Sequence, residues 1–168
     1  MDNEIVTGRT AELTDTEHEL LISMLSKEFE SKYLREKESQ ILAFRHHDYR
    51  FIYKERIGII LWWDFVDFAF IEYIVVKAAF RNQGNGSNLL NKIKSSNRLI
   101  ILEVEDTDER LKRFYRNNGF LECTIPYEAI QINETPQDNL LLMSYDHELS
   151  REEYDMFMNT ISADDLQF

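Results

Sequence analysis

Gly84 and Gly86 stand one residue apart in FRNQGNGSNLLNKI, Phe80 to Ile93, within a chain that has only five glycines. Arg81 precedes them, the apolar run FIEYIVV ends shortly before, and Leu89, Leu90 and Ile93 follow at helical spacing. A strand that ends in a glycine turn and opens a helix aims several backbone N–H groups, and the positive end of the helix dipole, at one spot that suits a phosphate. Glycine lets the backbone approach such a group closely, and Arg81 can add a charge-assisted bond. Two better-known phosphate motifs are excluded. The third glycine of a dinucleotide fingerprint would fall at Leu89, and a nucleotide P-loop needs Lys followed by Ser or Thr. The local pattern alone is equally compatible with a tight turn that binds nothing.

A second set of residues could move protons. Glu72 in FIEYIVV and Glu103 in LIILEV each sit among apolar neighbours. A carboxylate in such a strand is costly unless it is paired or faces a cleft, so each is read as half of an ion pair or as a cleft group. His46 and His47 are adjacent but have no third ligand at a suitable spacing, so no metal site is read. Cys123 is the single cysteine, which excludes an internal disulfide and a Cys-rich metal cage; it reads as a small buried hydrophobe.

These residues need elements to position them. A first strand is expected near 4–12, then a helix from the caps Thr14-Asp15-Thr16-Glu17 to about Phe29, with Leu20, Leu21, Met24, Leu25 and Phe29 at helical spacing. A second helix is read from about Lys32 to Phe44. YRFIYKE, RIGIILWWDF and FAFIEYIVV follow as an antiparallel meander of β-branched and aromatic residues, with Trp62, Trp63 and Phe65 in the core and cleft wall. Then come a helix after Gly86, a strand at 98–104, a helix from about Thr107 to Asn118, and strands FLECTIP and NLLLMSYD. A serine-capped helix at about 150–163, with Glu153 three residues after Ser150, closes the chain. The order predicts a mixed α/β sheet flanked by helices.

At 168 residues and 43% hydrophobic, the chain suits one domain over 1–168 with a sizeable core. The N-terminus carries no secretory pattern and no apolar stretch approaches a membrane span, so a cytoplasmic protein without a membrane partner is expected. With 31 acidic against 19 basic residues, the net charge of −12 argues against a nucleic-acid partner.

Arg81-Asn82-Gln83-Gly84-Asn85-Gly86 matches the R/Q-x-x-G-x-G/A signature of the GNAT superfamily of N-acetyltransferases, and stands between the fourth strand and third helix as in that family. A second block, Leu102-Glu103-Val104 followed by Phe114-Tyr115-Arg116-Asn117-Asn118-Gly119-Phe120, resembles the family's LEV and LYxxxGF segments. Together the blocks cover about residues 69–122. Ala78, Asn82 and Asp108 depart from the family's frequent Pro, Gly and Asn.

The resemblance implies a central mixed, mostly antiparallel sheet that splays between strands 4 and 5. It implies acetyl-CoA as acetyl donor, its pyrophosphate held by backbone N–H groups of Gln83, Gly84, Asn85, Gly86 and Ser87 with Arg81 and Asn82 nearby. Its pantetheine would run along Val75 and Val76 toward Asp108, which as a carboxylate can accept but not donate a hydrogen bond. Tyr115 is the expected acid toward the leaving thiolate, and Glu103, Glu72 or a water chain the base. Tyr127 is a substrate-side candidate. The expected reaction is direct transfer to a primary amine on a small molecule, peptide or protein; a homodimer is an allowed assembly. The alternative is a CoA-binding sensor or assembly module without turnover.

Overall fold

Thr14 starts the first helix as the sequence requires: Glu17 N–H donates to its hydroxyl at 3.3 Å, and Thr14 N–H donates to the Glu17 carboxylate at 2.7 Å. Such a capping box satisfies two backbone donors that would otherwise be orphaned. Helix α1 then runs Asp15–Glu28 in a computed structural model that describes residues 5–95, 98–129 and 139–163. Leu21 and Leu25 face the core, whereas Leu20 is left exposed.

The second helix departs from expectation. Only Lys37–Phe44 is α-helical (α2); Ser31–Tyr33 is a short 3-10 turn, and Leu34 is extended. The reason lies in two tertiary bonds. Tyr73 donates its hydroxyl to the Tyr33 carbonyl at 2.9 Å, and Arg35 is drawn inward to Glu72. An extended link lets both be satisfied.

Strands β1 (Ile5–Arg9), β2 (Tyr49–Lys54), β3 (Gly58–Asp64), β4 (Phe68–Val76), β5 (Leu99–Glu105), β6 (Phe120–Glu122) and β7 (Leu140–Tyr145) form one sheet in the order β1-β2-β3-β4-β5-β7-β6. All neighbours are antiparallel except β4 and β5, which are parallel and paired only from Phe68↔Leu99 to Ile71↔Leu102. Beyond that pair the two strands part, which is the expected splay. Strand β6 is shorter than the FLECTIP segment. Its ladder continues to Cys123 N–H on the Leu142 carbonyl, but Thr124 then turns to Glu148 and Pro126 has no N–H to give.

Helices α1, α2 and α5 (Arg151–Ala163) cover one face, where Leu25, Phe44 and Phe157 pack on Leu61, Trp63 and Phe70. Helices α3 (Asn85–Lys94) and α4 (Glu109–Asn117) cover the other, with Leu89, Leu90 and Tyr115 against Ile60, Ile71 and Leu102. Trp62, Trp63 and Phe65 are core residues, and Cys123 is buried and free. Residues 164–168, at the end of the expected last segment, lie outside the described residues.

Candidate active site

After β4, a 3-10 turn at Ala78–Phe80 leads into Arg81 and the glycine turn. Asn82 (φ 59°) and Gly84 (φ 77°) both take left-handed backbone. Asparagine is among the few residues with a side chain that tolerate this region, so the turn forms although Asn82 replaces a frequent glycine. Gly84 is the N-cap of α3 and offers no side-chain cap, unlike Thr14, Asp108 and Ser150 on α1, α4 and α5. A Cβ on Gly84 would meet nothing within 4 Å, so this side of the turn is open. A Cβ on Gly86 would lie 2.9 Å from Phe114 Cζ, so the first turn of α3 seats directly against α4.

The side chains around it are turned to the loop itself. Gln83 donates to the Ala79 carbonyl at 3.0 Å and Asn85 to that of Phe80 at 2.9 Å. Arg81 Nε donates to the Val76 carbonyl at 2.7 Å, and its terminal nitrogen to Glu28 at 2.6 Å. Ser87 is partly buried in the first turn of α3. An uncapped helix start behind an open glycine fits a phosphate group, and Gln83 to Ser87 are the residues whose backbone would hold it.

A cleft of about 350 Å³ opens where β4 and β5 part, lined among others by Glu28, Tyr33, Arg35, Glu72, Tyr73, Glu103 and Asp108. In the β3–β4 register Trp62 pairs with Ile71 and Leu61 with Tyr73, so Glu72 is the extra residue of a β-bulge. Bulges re-aim side chains, and here Glu72 and Tyr73 face the same side. The Glu72 carboxylate accepts hydrogen bonds from Arg35 on one oxygen and from the Tyr49 hydroxyl on the other. The ion pair is buried, the two side chains being 1% (Arg35) and 8% (Glu72) exposed.

Glu103 faces the cleft from β5 and accepts a hydrogen bond from the Tyr127 hydroxyl. Burial pushes its carboxyl up to about 7, against the pull of the Tyr127 bond, and the nearby Glu72 charge pushes the same way. Tyr127 is fixed from behind, because Tyr154 on α5 donates its hydroxyl to the Pro126 carbonyl at 3.0 Å. Tyr115 lies elsewhere, 3% exposed in the apolar layer under α3 and α4 and packed on Phe114 and Phe120. Burial, helped by the Asp108 charge, raises its phenol well above the usual range.

Thus Glu72 and Glu103 come together in the cleft and Tyr127 joins them through its bond to Glu103, while neither Tyr127 nor Tyr115 is among the residues that line the cleft. Asp108 borders it and caps α4, accepting from Leu111 N–H at 2.9 Å. Val75 is buried on the cleft side of the sheet, and Val76 ends β4 with its carbonyl held by Arg81. His46 and His47 stack at 4.6 Å between α2 and β2, away from the cleft. Asp48 adds a third donor there, not weighed in the sequence, grouped with the histidines to within 4.8 Å. His46 Nδ1 already accepts the Asp48 N–H at 3.2 Å.

Sequence reasoning missed Arg35 and Tyr49. The signal was Glu72 itself, since a carboxylate in an apolar strand calls for a buried partner. Among the described residues no helix is long and apolar enough to cross a membrane.

Known proteins share parts of this sequence and its fold. Residues 14–120, more than half of the chain, match the family model of the acetyltransferase (GNAT) family. The Bacillus subtilis (strain 168) protein named "Putative acetyltransferase YjbC" is 34% identical over 96 residues, which cover 51% of this chain and 50% of that protein, so the match spans about half of the relative's length. A solved structure, "Putative acetyltransferase from GNAT family from Bacteroides thetaiotaomicron", superposes with a TM-score of 0.81 over 98% of this chain and 99% of that one, at 22% identity. The Escherichia coli ribosomal-protein-S18-alanine N-acetyltransferase superposes with a TM-score of 0.60 over 89% and 97%, at 15% identity.

Proposed function

The chain belongs to the GNAT acetyltransferase family, and on that premise we propose that it moves an acetyl group from acetyl-CoA to a primary amine by direct transfer. Bound acetyl-CoA supplies the acetyl group already activated as a thioester. The observation that carries the reading is Glu103: a carboxyl at the parting of β4 and β5, held near 7 by burial and fixed by Tyr127. A base with such a value is half ionised at neutral pH and can take a proton from an incoming ammonium group.

The other groups support it. Arg35 and Tyr49 occupy both oxygens of Glu72, so Glu72 is assigned to holding the cleft wall and to raising the proton affinity of Glu103. Tyr115, whose phenol is raised by burial, is assigned as the acid toward the leaving thiolate. The uncapped start of α3, with Gly84 and Gly86, is assigned to the donor's pyrophosphate. Carboxylates Glu28, Glu30, Glu103, Glu105 and Asp108 around one cleft favour a cationic acceptor. A CoA-binding module without turnover is the competing reading, favoured by the buried seal over Glu72.

Isothermal titration with acetyl-CoA and CoA, followed by thiol release against a panel of primary amines, tests the proposal. Binding with amine-dependent release supports it. Binding without release from any amine moves the function to the non-catalytic module, and no binding removes both.

A further inference from the structure

The two bonds of Arg81 join parts of the molecule that are far apart in sequence. Its Nε bond runs back to Val76, the last residue of β4, and its terminal nitrogen reaches the last residue of α1, Glu28, across 53 positions. Glu28 lines the cleft, and among the described residues Arg81 is its partner in the structure. The neighbouring cleft acids are balanced otherwise: Lys32 lies 3.7 Å from Glu30 and 3.8 Å from Glu105.

The Arg81 and Glu28 side chains are 42% and 25% exposed. An ion pair that open to solvent is weakly held, and a pyrophosphate with one negative charge on each phosphoryl group, next to the uncapped start of α3, is a stronger acceptor for the same guanidinium. The backbone between Arg81 and α3 is already bent by the left-handed Asn82 and Gly84.

We propose that Glu28 is a positioning residue of the donor site: it holds Arg81 against the end of β4 when no donor is bound and competes with the donor's phosphate for it. Donor binding then transfers Arg81 to the phosphate and leaves the Glu28 carboxylate facing the cleft, beside Glu72 and Glu103, where an ammonium group is to enter. The two half-sites are coupled through one arginine. The proposal rests on reading the start of α3 as the phosphate cradle.

Titration of CoA into the full chain tests it without any turnover. Glu28→Gln should tighten CoA about two- to five-fold, the range that one half-exposed ion pair can withhold. Because removing any acid near an anion could do the same, the variant is repeated in an Arg81→Gln background, where the gain should vanish. Glu19→Gln, the same charge change on the same helix but paired with Lys37 and outside the cleft lining, should leave CoA affinity where it was. Unchanged or weaker binding by Glu28→Gln, or an equal gain without Arg81, overturns the coupling. Failure of the unmodified protein to bind CoA overturns the phosphate cradle instead, a separate result. Thermal midpoints of all variants within a degree or two of the parent would show that the affinity changes do not arise from misfolding.

Discussion

Replacing Glu103 by Gln should stabilise the protein above neutral pH while abolishing its proposed chemistry. The carboxyl sits near 7 in the folded chain against an ordinary 4.5, because burial resists its charge. Below 4.5 both folded and unfolded chains carry the proton, and the group costs nothing. Between 4.5 and about 7 the unfolded chain loses its proton while the folded chain keeps it, so stability falls across that window and levels off above 7, where both are ionised. At about 1.36 kcal/mol per pH unit, the gap corresponds to roughly 3 kcal/mol. Gln keeps the shape and can still accept the Tyr127 hydrogen bond, but has no charge to bury. Urea unfolding of both proteins at pH 4.5, 6, 7 and 8.5 should therefore give curves that meet at the acid end and diverge toward alkaline pH, with the variant ahead by about 2–3 kcal/mol at 8.5. A constant offset at every pH, or a variant less stable at 8.5, would refute the assignment of a buried, easily protonated carboxyl at this position.

Other perturbations test the rest of the site. Arg35→Met leaves the Glu72 carboxylate buried without its counter-ion and should cost about 3–5 kcal/mol in urea unfolding, most of it regained in an Arg35→Met, Glu72→Met pair. Tyr127→Phe removes the hydrogen bond that pulls the Glu103 carboxyl down, so the acidic limb of the kcat/KM profile should move upward by about one pH unit; an unmoved limb would detach Glu103 from the role of base. Gly86→Val would drive a side chain into Phe114 and should weaken CoA at least about tenfold by titration, the effect of some 1.4 kcal/mol lost in seating the start of α3.

The parts of this molecule that were legible in the sequence are those written in local pattern. The capping box at Thr14 and Glu17, the β-rich meander and the glycine turn depend on neighbours a few residues apart, and each formed as its residues dictate. The resemblance supplied the parting of β4 and β5. What stayed hidden depends on distant partners. Arg35 lies in a run of alternating charges that reads as a helix face, yet it is taken out of the helix by a glutamate 37 residues away. The bulge at Glu72 leaves no local mark, because the strand is apolar on both faces and period-two alternation is not visible there. The early end of β6 follows from Glu148 capturing Thr124, which is again a contact between residues remote in sequence.

The bulge has a consequence for how β4 tolerates change. Ile71 and Ile74 face the α3 and α4 layer while Phe70, Tyr73 and Val75 face the opposite one, so the residues on either side of Glu72 keep a common phase as though it were not there. Glu72 is in this sense a supernumerary position, an insertion that the sheet absorbs without turning the strand over. A β4 one residue shorter would keep every neighbour on its present face and lose only the carboxylate, together with about 3.3 Å of the reach that carries Val76 to the glycine turn. Strand phase and strand length are thus set by different residues, and the acid of the buried ion pair is the one that adjusts length alone.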